Sequence, residues 1–135
     1  MPFASWDGDL GPEPLWVSLR RTECLGPCPS YKVTVYRDGR VEFVGYNHVA
    51  QAGKHEKRIA PEKFRLLWKR IHQVRFWRMA DRYTSDWTDH PHQIVTVRTE
   101  TSEKSVDDYI SGPKALKDLE NFVDQVAGTS EWVRN

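Results

Sequence analysis

Residues 31–36, "YKVTVY", alternate with period two, placing Tyr31, Val33 and Val35 on one side of an extended chain and Lys32, Thr34 and Tyr36 on the other. The following stretch, "RVEFVGY", groups Val41, Phe43 and Gly45 in the same way. A two-residue Asp-Gly loop between the two would set Val35 opposite Glu42 and mix the faces. A three-residue loop, Arg37-Asp38-Gly39, sets Val35 opposite Val41 and Val33 opposite Phe43, with Gly39 in the left-handed bulge position. The buried face selects the second register.

Further strands are expected in "LWVSLRRT", "GKHEKRI", "QIVTVRT" and "SEKSVDDYI". Pro61 opens a helix, where its missing N–H costs nothing, and Phe64, Leu67, Trp68 and Ile71 form the apolar stripe. The same phase would carry Arg75 into the middle of that stripe, so the helix should end near Val74. The aromatic-rich stretch that follows reads as a connection, leaving Leu66, Phe76 and Trp77 outside the stripe. Gly112-Pro113 introduces a last helix with Leu116, Leu119, Phe122, Val123 and Val126 on one arc; Gly128 stops it, and Trp132 and Val133 pack back. Residues 1–14 read as an irregular arm. Residues 15–133 read as one α+β domain: a single antiparallel sheet of five or six strands, with two helices on one face.

Composition narrows the classes. A chain of 135 residues holds one core without needing metals or several disulfides, and its six tryptophans argue against disorder. No apolar run approaches the ~20 residues that span a bilayer. The N-terminus has neither a basic start nor an apolar core, so no signal peptide is visible, and a cytoplasmic location is the default expectation. Net charge is +1, but residues 54–82 carry ten Lys or Arg against three Asp or Glu. That balance suggests polyanion binding through Lys63, Arg65, Lys69, Arg70 and Arg78, or simply a solvated helix.

Both cysteines fall in "CLGPC". Zinc sites favour two- or four-residue spacers and about four ligands, and redox pairs favour C-x-x-C at a helix start; this pair has neither pattern. Cys24 and Cys28 are read as a structural turn after the first strand, either joined in a disulfide or packed as two small thiols. Arg21 and Thr22 stand where they satisfy turn carbonyls or a nearby carboxylate. In "SDWTDHPHQ", Asp86, Asp89, His90 and His92 supply the residue types for a divalent metal or acid–base work, but their spacing does not dictate convergence. Nucleotide-cradling and hydrolase motifs are absent.

The pattern R-T-x-C-x-G-x-C-P-x-Y, then an alternating strand and D-G-x-V, resembles a bacterial family of domains of unknown function. It runs through Arg21, Thr22, Cys24, Gly26, Cys28, Pro29, Tyr31, Asp38, Gly39 and Val41. The resemblance implies a small α+β domain, often attached to an export or lipoprotein signal, and marks Arg21, Cys24, Cys28 and Tyr31 as one unit. It brings no activity. The functional expectation is therefore a non-catalytic binding or structural module without a cofactor. A metal-assisted hydrolase using residues 86–92 is the enzyme alternative, and polyanion binding through the basic first helix is the third. A protein or small-molecule ligand ranks ahead of nucleic acid, and no membrane partner is expected.

Overall fold

The computed structural model describes residues 11–86 and 90–134; of the positions singled out above, Asp89 and most of the N-terminal arm lie outside them. Seven strands form one sheet: β1 Trp16–Arg21, β2 Ser30–Tyr36, β3 Arg40–Asn47, β4 Gly53–Arg58, β5 Arg82–Tyr83, β6 Gln93–Arg98 and β7 Glu103–Asp108. Their spatial order is β4-β3-β2-β1-β6-β7-β5. Among the described residues three helices accompany them: α1 Pro61–Gln73, α2 Lys114–Ala127 and the short α3 Ser130–Val133.

The β2–β3 register pairs Val35 with Val41 and Val33 with Phe43, and Gly39 takes φ 95° in the loop. Burial of one face decides this register: Val33, Val35, Val41 and Phe43 are all fully buried. Gly39 is also held by packing, since a Cβ there would meet the Ile59 carbonyl oxygen at 2.3 Å.

Two features correct the expected sheet. It has seven strands rather than five or six, and it is mixed, because β5 runs parallel to β7. Strand β5 is two residues long, too short to display any alternation, and pairing with β7 alone makes it a strand. The aromatic connection also holds a 3-10 turn, Phe76–Arg78, in which Phe76 is fully buried rather than left over.

Helix α1 buries Phe64, Leu67 and Ile71, while Trp68 stays half-buried. It ends at Gln73, with Val74 as its cap, and Arg75 turns the chain out in a left-handed conformation. Helix α2 buries Leu116, Leu119, Val123 and Val126, and Gly128 closes it at φ 67°. In α3, Trp132 stacks on Phe43 at 4.9 Å between ring centroids. All these contacts lie on the side of the sheet that carries Val17, Leu19, Val33, Val35, Val41, Phe43, Val95 and Val97. Each such fully buried side chain contributes roughly 1.5–3 kcal/mol. The opposite side carries Trp16, Arg20, Lys32, Tyr36, Val44 and Tyr46.

Candidate binding site

The cysteine turn closes the end of the sheet where β1 stops and β2 begins. Cys24 and Cys28 form a disulfide with 5.7 Å between Cα atoms, and the Gly26 N–H donates to Cys24 Sγ at 3.3 Å. The short loop presents Leu25, which is 82% exposed.

Behind this turn, Arg21 and Tyr31 face each other across the β1–β2 pair and reach into α2. The Tyr31 hydroxyl donates to the Asp124 carboxylate, lying 2.8 Å from Oδ1 and 2.9 Å from Oδ2. Arg21 Nη2 donates to Asp124 Oδ2 at 2.9 Å and to Asn121 Oδ1 at 3.2 Å, and Nε donates to Tyr31 Oη at 3.0 Å. Burial disfavours the Arg21 charge, but Asp124 and Tyr31 more than offset it and hold its pKa above the usual value. Burial, with the Asp124 charge second, pushes the Tyr31 hydroxyl well above the ordinary phenol range. The Arg21 guanidinium thus meets a carboxylate rather than turn carbonyls. This triad anchors the disulfide end of the sheet to α2.

Thr22 makes a second clasp: its N–H donates to the His92 carbonyl at 3.0 Å, and its Oγ1 accepts from the His92 N–H at 2.7 Å. His92 Nδ1 lies 2.8 Å from Asp107 Oδ1, and its ring stacks on Tyr109 at 4.3 Å. Asp86 is exposed, and Asp89 falls outside the described residues. Among the described residues no three His, Cys, Asp or Glu side chains gather as a metal site.

A third cluster was not anticipated. Asp108 is fully buried at the end of β7, where Oδ1 accepts from the Gly112 N–H at 2.8 Å and Oδ2 from Lys117 Nζ at 3.0 Å. Glu120, only 3% exposed, joins it from α2. Burial, the hydrogen bond with Asp108 and the Asp108 charge raise the Glu120 pKa to about 9, so Glu120 holds a proton at neutral pH. Burial works against the Asp108 charge, but the bonds from Glu120, Lys117 and Gly112 win and lower its pKa. The signal was present in the sequence: Glu120 lies four residues after Leu116, on the buried arc, and Asp108 shares its strand face with Val106.

The basic residues of α1 divide. Arg70 lies over the Phe122 ring at 4.3 Å and Arg65 over Trp68 at 5.3 Å, so both cover apolar surface. Lys69 also has a partner, Lys63 is exposed, and Arg78 lines a separate cleft with His72, Arg75 and Trp77.

Two clefts border strands β1, β2 and β3: the smaller is lined from the side of the sheet away from the core, and the larger opens at the disulfide end, where Arg21 and Gly45 of the core-side alternation meet Arg20 and Tyr46 of the other. The larger, about 720 Å3, is lined by Arg20, Arg21, Glu23, Ser30, Tyr46 and Asn47, among others, beside the disulfide turn. The smaller, about 250 Å3, is lined by Trp16, Lys32, Thr34, Tyr36, Glu42 and Val44. Arg20 lies 5.5 Å from the Tyr46 ring centroid, and Arg40 lies over Tyr36 at 3.9 Å. Arg40 and Lys54 both approach Glu42, at 2.8 and 3.8 Å, whereas Arg20 and Lys32 have no carboxylate partner among the described residues.

These observations define a small α+β domain whose described residues form one mixed sheet, three helices and a disulfide-closed turn at the sheet end. The chain belongs to the family described as Domain of unknown function (DUF6438), whose profile matches residues 16–127. No curated protein matches it. No helix among the described residues is long and apolar enough to cross a membrane.

Proposed function

We propose that this chain is a non-catalytic binding module, and that it takes an extended acidic segment of a partner protein across the sheet face opposite the helices. One observation carries the reading: two clefts, one on that face and one at its disulfide end, combine three aromatic rings with two cations, Arg20 and Lys32, that lack carboxylate partners among the described residues. Trp16, Tyr36 and Tyr46 offer flat contact area at low entropic cost, and the cations select for negative charge. Leu25, displayed by the disulfide turn beside Thr22 and Glu23, adds an apolar contact at the rim. Arg21, which lines the larger cleft, is itself held by Tyr31 and Asp124, which limits the ordering cost of binding there.

The test is a fluorescence-anisotropy titration with a labelled peptide alternating Asp or Glu with Val or Tyr. Saturable binding is expected, with affinity falling by roughly tenfold or more in Arg20→Glu and Lys32→Glu. Equal affinity for a basic peptide of the same pattern overturns the reading.

A further inference from the structure

Helix α1 ends at Gln73, and Arg75 then adopts φ 56° and ψ 50°. Glycine or asparagine ordinarily fills such a left-handed position, because a Cβ there crowds the neighbouring carbonyl. This turn carries arginine instead. It brings His72, Arg75, Trp77 and Arg78 to one cleft of about 410 Å3. None of the described residues lining the cleft is acidic. The His72, Arg75 and Arg78 side chains have neither a hydrogen bond nor an ion pair among the described residues. Gathering guanidinium groups without a counter-charge raises the energy of the folded state, and an anionic ligand relieves it.

Trp77 supplies the second half of the site. The residue is 37% exposed, and its ring stands edge-on against the buried Phe76, with centroids 5.9 Å apart at 81°. The indole is thus held by packing while part of it faces outward. Flat rings stack on such a platform, and arginines beside it match phosphate oxygens through paired N–H donors.

We infer that this cleft binds a nucleoside phosphate, free or as one unit of a single strand, with the base on Trp77 and the phosphate on Arg75 and Arg78. It shares no lining residue with the sheet-face clefts, so it stands or falls apart from them. Only Arg78 belongs to the basic set expected from the sequence; the other cations of that set lie along α1.

The intact chain is titrated with adenosine monophosphate, a short oligodeoxyadenylate, inorganic phosphate and adenosine, following the Trp77 indole N–H resonance by NMR. Saturable shifts are expected with both nucleotide ligands, at affinities roughly tenfold or more above phosphate or adenosine alone. Tighter binding of the strand, with a steep loss on adding salt, identifies single strands as the natural source; equal affinity identifies the free nucleotide. Arg75→Gly is the informative variant, because glycine suits the backbone and only the charge is lost. It should melt no lower than the native chain yet bind at least about tenfold more weakly, as should Arg78→Gln. Three results overturn the inference: no saturable shift at millimolar nucleotide, native affinity in both variants, or phosphate binding as tightly as nucleotide.

Discussion

The Tyr31 hydroxyl sits between the two carboxylate oxygens of Asp124, 2.8 and 2.9 Å away, and so joins β2 to a helix 93 residues later in the chain. Arg21 binds the same carboxylate from β1. Removing one partner leaves the other two still bonded to each other but partly buried with a bond unmade, and loss of the carboxylate, which serves both, costs most. Asp124→Asn should therefore destabilise by about 2 kcal/mol and Tyr31→Phe by about 1 kcal/mol. The double variant should lose less than the sum of the two, since all three groups form one network. Urea denaturation of the three proteins measures this.

Glu120 makes stability depend on pH. Its folded pKa, about 9, lies above the unfolded value, so its stabilising share is full below the unfolded glutamate range. That share falls as pH rises toward 9. Asp108 acts oppositely: its depressed pKa contributes stability that is lost as pH drops through the acid range. Glu120→Gln keeps a donor for Asp108 and removes the proton equilibrium. Its stability should change little between pH 5 and 9, and at pH 8.5 it should exceed the native chain by on the order of 1–2 kcal/mol. Thermal melts across that range test both statements.

Gly39 is constrained twice, by its positive φ and by the Ile59 carbonyl oxygen 2.3 Å from where a Cβ would sit. Gly39→Ala should cost about 2 kcal/mol or more, because neither the turn nor the facing backbone can yield cheaply. A loss well below 1 kcal/mol would show that the hairpin relaxes.

The hairpin was legible because alternation and burial agree along residues 31–45. The α1 boundary was legible because the helical phase collides with Arg75. The parallel β5 edge was not, since Arg82 and Tyr83 carry no pattern of their own and take strand form from β7. At the site, Arg21 and Tyr31 stood out within the cysteine motif, but Asp124 did not: a helix's outward carboxylate looks the same whether solvent or a distant strand meets it. The clefts were invisible for the same reason, because they depend on three strands lying side by side. His92 was named as a metal candidate, yet its Nδ1 meets Asp107, 15 residues along the chain.

Opening the Cys24–Cys28 bridge tests the rim of the larger cleft. Closing so short a loop stabilises by about 2 kcal/mol in the chain-entropy account. The Cys24→Ser/Cys28→Ser variant should unfold earlier by that amount with an unchanged far-ultraviolet circular dichroism spectrum. Its affinity for the acidic peptide should fall, since the turn that displays Leu25 and follows Glu23 of the larger cleft is then no longer closed.

The sheet-face proposal meets its most direct test in an NMR titration of the isotope-labelled chain with the same acidic peptide. The account predicts that the largest shift changes fall on Arg20, Lys32, Tyr46 and the Trp16 indole, while resonances along α1 and α2 stay in place. Shifts concentrated on the helices, or no shifts at millimolar peptide, would contradict it.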